Sequence, residues 1–297
     1  MSCADVTRVP GFTNKGATCY VDSVLYLLLV VFDKFTQEYI YNPWGKVSSH
    51  VIPDCDRSAI VKQLQVAQNA LLKGGSREVC INFLQSINAC VTQKFENIAD
   101  DPSRFLFELF QLFDITTFNS RMVRVNGQGE VTTQDQKSAV LYVPRDAITS
   151  DKELSDFETV TTVNSVGTIE STSYMAQGSP PLLVLFVDRY MEDAAGNEQL
   201  ITTTVEVSER FADKTLAAMV CFESQHVVAF FKFKSRNCTW SWYMYNDSAS
   251  AQNRVTKIGT LQDVLQRRKF NPRQRGILFF YWDATTNPTA WADSSIV

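Results

Sequence analysis

The apolar residues of this chain change their spacing once, near Thr116, and that change limits what the chain can fold into. Before it, "RSAIVKQLQVAQNALL" carries Ile60, Leu64, Ala67 and Leu71 on one helical face, "REVCINFLQSINACV" continues the pattern, and "SRFLFELFQLF" ends it. "LLKGGSRE" breaks the run between helices. After Thr116 the chain is rich in Val, Thr, Phe and Tyr, with turn signals such as "NGQGE" and "AAGNE". Helices first and strands afterwards predict an α+β architecture, helices packed on an antiparallel sheet. No internal repeat is present.

The chain has 297 residues, 45% of them hydrophobic, enough for a sizeable core. Its net charge of −4 argues against general nucleic-acid binding and suits a basic protein partner. Seven cysteines, at 3, 19, 55, 80, 90, 221 and 238, form no C-x-x-C pair. A disulfide framework and a zinc site are therefore not expected, and a reducing compartment, cytoplasmic or nuclear, is. The opening "MSCADVTRVP" is polar, and the longest apolar run, Val24 to Phe32, falls short of the ~20 residues that span a bilayer. No membrane partner, no metal and no cofactor are expected.

Cys19 stands between the turn-like "GFTNKGAT" and the apolar run that starts at Val24. A thiol at the start of a helix lies beside unpaired N–H groups whose partial positive charge favours the thiolate, a suitable place for a nucleophile. A buried, inert packing cysteine is the competing interpretation. A cysteine nucleophile needs a base, and the chain has two histidines. His50 lies in the polar "KVSSHVIPD" and reads as a loop residue. His226 opens the strand "HVVAFFKF", which "KSRNC" joins to a second strand, "WSWYMYND". A hairpin centred on Arg236 would put Asn246 opposite His226, able to accept the Nδ1–H and leave Nε2 to exchange a proton with Cys19. A slip of one residue would put Asp247 there instead.

The segment "GFTNKGATCYVDSVLYLL" resembles the cysteine box of the ubiquitin-specific proteases, G-L-x-N-x-G-N-T-C-Y-M-N-S-x-L-Q, with Gly11, Asn14, Gly16, Thr18, Cys19, Tyr20, Ser23 and Leu25 in place. "PPLLVLFVDRY", "HVVAFF", "WYMYNDS" and "GILFFYW" resemble later blocks of that family, so the likeness runs over roughly residues 9–282. It implies a papain-like cysteine protease fold in a single catalytic domain over 1–297. A helical thumb would span about 9–114, and an antiparallel β palm with short, zinc-free fingers about 115–290. It implies Cys19 as nucleophile, Asn14 as oxyanion donor, His226 as base, Asn246 as third member and Asp247 as the acidic residue after it. The implied activity is cleavage after the terminal Gly-Gly of ubiquitin by a monomeric enzyme. The same chemistry on SUMO or another modifier, and a non-catalytic ubiquitin-binding domain, are the alternatives.

Departures from the pattern bear on substrate. Ala17 replaces an asparagine, and Gln225 and Val227 replace the glycine and tyrosine whose counterparts line the narrow channel for Gly-Gly. In "DPSRFLFELFQLF" Asp101 is kept, but Arg104 stands where the family has a glutamate facing ubiquitin's basic tail. Three residues apart on one helical face, Asp101 and Arg104 are expected to pair and so weaken ubiquitin recognition. "QRRKFNPRQR" reads as a solvated loop, with an acidic-partner or nuclear-import patch as the alternative.

Overall fold

The computed structural model describes residues 5–14, 18–42, 55–73, 77–78, 81–91, 94–95, 100–163, 167–176, 180–192, 198–201, 203–234, 239–250, 252–286 and 288–289. His50, Ala17 and Cys3, Cys80 and Cys238 lie outside them. Four helices lead: α1 (Cys19–Tyr26), α2 (Arg57–Leu72), α3 (Ile81–Asn88) and α4 (Pro102–Leu112). Asp56 and Asp101 cap α2 and α4 through backbone N–H groups, and a proline opens α4, as helix starts favour. After α1 the chain continues as a wider π-helical turn, Leu27–Val31, whose side chains are all fully buried. Arg77–Glu78, in the break between helices, forms a short strand paired in parallel with Phe12–Thr13, the segment before Cys19.

The strands are β1 (Phe118–Val125), β2 (Val131–Ser138), β3 (Leu141–Val143), β4 (Thr159–Val163), β5 (Ile169–Tyr174), β6 (Leu182–Val187), β7 (Lys214–Glu223), β8 (His226–Lys234), β9 (Trp240–Tyr245), β10 (Val255–Gly259) and β11 (Gly276–Asp283). Among the described residues an eight-stranded sheet runs β10-β9-β8-β7-β11-β6-β3, with Arg210–Phe211 beside β7. Only the β3–β6 pair in it is parallel. A separate four-stranded antiparallel sheet runs β2-β1-β5-β4.

The large sheet is buried on both faces. Along β8, Val227, Ala229 and Phe231 face the helices, while Val228 and Phe230 enter a second cluster on the far side; β7 and β11 divide likewise. This accounts for the continuous apolar runs, which a sheet with one wet face would not tolerate. Arg189 is fully buried behind β6, where it donates to the carbonyls of Gly276, Thr203 and Arg273 and satisfies its charge by backbone oxygens.

Contrary to the expectation from cysteine spacing, Cys55 and Cys90 form a disulfide that ties the start of α2 to the end of α3. Their irregular separation along the chain concealed their adjacency in space. No helix among the described residues is long and apolar enough to cross a membrane.

Candidate active site

Packing of α1 against β8 places Cys19 beside the start of the strand that His226 opens. Cys19 is the first residue of α1, and its thiol meets the backbone N–H of Val227, the residue after His226. Ser23, one turn later, donates to the Val227 carbonyl at 3.4 Å. The ring of Tyr245 fixes the entry to this helix. Its hydroxyl accepts from Phe12 N–H, and a Cβ on Gly11, at φ +74°, would sit 2.5 Å from its ring. Gly11 is therefore required by backbone geometry and by space.

Cys19 is 3% exposed, and burial pushes its thiol up to about 11, reinforced by Asp247 and Asp22 and opposed by the N–H groups of Val227 and Tyr20. The helix terminus expected to favour the thiolate is outweighed by desolvation. At neutral pH the resting group is a thiol. Cys221, the other free cysteine among the described residues, lies fully buried in the sheet, its pKa also raised by burial.

Asn246 Oδ1 lies 2.9 Å from His226 Nε2 and also accepts from Ser248 N–H at 3.1 Å. A carbonyl oxygen only accepts, so Nε2 carries the hydrogen and Nδ1 the lone pair. This reverses the ring orientation expected from sequence. Asp247 Oδ1 is 3.8 Å from Nε2, so Asn246 makes the direct contact. The hairpin is also two residues out of the expected register: Ala229 pairs with Tyr245, where a turn centred on Arg236 put Tyr243. A two-residue shift keeps every side chain on its face, so Asn246 still reaches His226, diagonally. Ser248 Oγ stands 3.5 Å from Nδ1.

Asn14 precedes α1, with its Oδ1 3.5 Å from the Thr18 hydroxyl oxygen. Gln225 is exposed at φ +65°, in the two-residue turn it forms with Ser224 between β7 and β8. Val227 is not a channel-lining residue: its side chain is 1% exposed and belongs to the core beneath α1. Nor do Asp101 and Arg104 form the expected ion pair. Asp101 caps α4 by accepting from Ser103 N–H, while Arg104 pairs with Asp100, donates to the Lys94 carbonyl and lies over the Phe95 ring. Capping draws Asp101 back along the chain and leaves Asp100, one turn before Arg104, as the guanidinium's partner.

Three contributors escaped the sequence reading. Phe270 sets its ring edge-on to His226, 5.8 Å between centroids, and its N–H is held by Glu223. It belongs to the basic "QRRKFNPRQR" segment, which is partly packed: Arg267 lies over Phe230, and Arg273 pairs with Glu206. The second is Ser248. The third, Asp22, is fully buried beneath the site. A periodic turn signal at 270 or a helix-facing position at 22 carries no mark of these contacts. Among the described residues no group of three or more His, Cys, Asp or Glu side chains could hold a metal. A 620 Å³ cavity lined by Trp242, Gln262 and Arg273, among others, includes none of the site residues.

No protein-family model matches the chain, nor does any curated protein sequence. Solved structures do. A chain of the SAGA DUB module Ubp8/Sgf11/Sus1/Sgf73 bound to monoubiquitin matches with a TM-score of 0.59 at 18% identity, over 95% of this chain and 71% of that one. The yeast SAGA DUB module with an Sgf73 mutant gives 0.62 at 15%, over 95% and 70%, and the module bound to ubiquitin aldehyde 0.58 at 16%, over 95% and 71%. This chain shares that fold. The α+β architecture with antiparallel sheets expected from sequence is the one found.

Proposed function

We propose that the chain is a cysteine isopeptidase that cleaves after the C-terminal glycine of ubiquitin. The observation that carries this reading is the convergence of three groups from distant sequence: Cys19 at the head of α1, against the strand that begins at His226, with His226 Nε2 held by Asn246 at 2.9 Å. The fold it shares with structures bound to monoubiquitin and ubiquitin aldehyde supports the substrate class.

Because Nε2–H is committed to Asn246, Nδ1 is the nitrogen that takes the thiol proton. A thiol with a pKa near 11 is deprotonated as the substrate carbonyl arrives rather than beforehand. The thiolate adds to the carbonyl of the terminal glycine, with the Asn14 amide and backbone N–H groups near Cys19 as donors to the oxyanion. The imidazolium then protonates the departing lysine amine, and water, activated by the same nitrogen, hydrolyses the thioester. The four-stranded sheet is read as short fingers without zinc, since its strands contain no cysteine.

The test is a panel of ubiquitin, SUMO and other modifier proteins carrying C-terminal electrophiles. Ubiquitin is expected to label Cys19. Preferential labelling by SUMO would move the same chemistry to that modifier, and labelling by none would favour a binding domain.

A further inference from the structure

Asp22 and Asp247 bury two carboxyl groups against one another under the site. Asp22 is 0% exposed and Asp247 2%. Their side chains are within hydrogen-bonding reach of each other, and Asp22 Oδ1 and Asp247 Oδ2 are both buried with no donor. The other two oxygens are occupied: Asp22 Oδ2 accepts from the Thr18 hydroxyl at 2.9 Å, and Asp247 Oδ1 from Ser248 Oγ at 3.4 Å. Two carboxylates in contact cannot both be ionised without a large penalty, and a buried acceptor without a donor is itself unfavourable. One proton shared between the two carboxyl groups removes the second charge and supplies a donor where none is present.

We propose that Asp22 is a positioning residue, held as a neutral carboxylic acid that donates to the Asp247 carboxylate and keeps the floor of the site at a single negative charge. The groups facing the pair are Thr18, Cys19 and Tyr20 at the head of α1, His226 at the start of β8, Tyr245 at the end of β9, and Ser248 and Arg254 before β10. Arg254 favours an ionised Asp22; burial, the largest influence, and the Asp247 charge oppose it and raise its pKa. One negative charge supports the His226 imidazolium across 3.8 Å. A second would sit beside the sulfur and hold back the thiolate. The cysteine box quoted above has asparagine at this position, a neutral donor of similar shape, which makes Asp22→Asn the informative variant.

The proposal rests on Cys19 as nucleophile, and its test separates the two. Infrared spectra should show the C=O stretch of a protonated carboxylic acid in the wild-type protein at pH 7, absent from Asp22→Asn. Where Asp22→Asn fails to fold, Asp247→Asn should make that band titrate away at lower pH. Alkylation of Cys19 by iodoacetamide, followed against pH, should run about three- to tenfold faster in Asp22→Asn than in wild type once the wild-type pair becomes doubly charged and its second charge disfavours the thiolate. No acid band at pH 7, or coincident alkylation profiles, would overturn the proposal. A band with a Cys19 inert at every pH would overturn the nucleophile and leave the shared proton standing.

Discussion

The two sheets of this molecule are built on opposite principles. The β10-to-β3 sheet is dry on both faces along its central strands, which meet through Phe, Val and Leu side chains. The β2-β1-β5-β4 sheet is wet. Most of β2 and β5 is exposed or half-exposed, and its strands are joined by Arg121–Asp135 and Arg124–Glu170 ion pairs and by Thr159–Ser173 and Thr161–Ser171 hydroxyl contacts. An apolar row crosses all four of its strands: Val131, Val125, Ile169 and Val163, in register at one end. Burial on both faces fixes register strongly, while a polar two-faced sheet leaves it to cross-strand pairs. The site residues His226 and Asn246 sit at the ends of two interior strands of the dry sheet, β8 and β9, where tolerance for displacement is small.

Truncation in the dry sheet should have the largest effect. Phe280 is fully buried on β11 and stacks on Phe32. Phe280→Ala is expected to cost about 3–5 kcal/mol in denaturant unfolding. A loss below about 1 kcal/mol would mean that the two sheets do not differ as described.

Asp22→Asn tests the buried pair beneath the ends of β8 and β9, through stability. Asp22 has a raised pKa in the folded state, so its stabilising contribution is complete below the unfolded value of about 3.9 and is lost as pH rises through the folded value. Wild type should therefore lose up to about 1.4 kcal/mol per pH unit in that window relative to the variant. Melting curves from pH 4 to 9 should show the variant gaining on wild type with pH; a constant difference would contradict this.

Smaller effects are expected in the turns and in the wet sheet. Gln225 holds φ +65°, a conformation that is unfavourable by about 1–2 kcal/mol for a residue with a Cβ, and glycine forfeits about 0.5–1 kcal/mol of that relief through its unfolded-state entropy. Gln225→Gly should raise stability by up to about 1 kcal/mol in denaturant unfolding. Arg124→Ala removes a half-exposed ion pair and should change stability by about 0–1 kcal/mol. A larger loss would show that the polar pairs, and not the apolar row, hold the wet sheet together.

The sequence made legible whatever repeats at a short period or sits at a recognisable start. The α2 helix lies over the expected residues, Cys19 opens α1, and His226 and Asn246 share a face although the strand register differs by two residues from that expected. What stayed hidden depends on side chains meeting across elements. Asp22 reads as an ordinary polar position inside a helix until Asp247 is placed against it. Arg104 takes Asp100 because Asp101 is occupied as a cap, and Cys55 meets Cys90 across two helices. The Cys19 pKa reversed expectation because burial depth, unlike a helix start, has no local signature.

The central claim is that Cys19, served by His226, cleaves an isopeptide bond. The most direct measurement is hydrolysis of a ubiquitin–lysine isopeptide by wild type, Cys19→Ala and His226→Ala, each checked for folding. Turnover by wild type and its loss in both variants is the expected result. Turnover that persists in folded Cys19→Ala, or its absence in wild type under every modifier tried, would contradict the assignment.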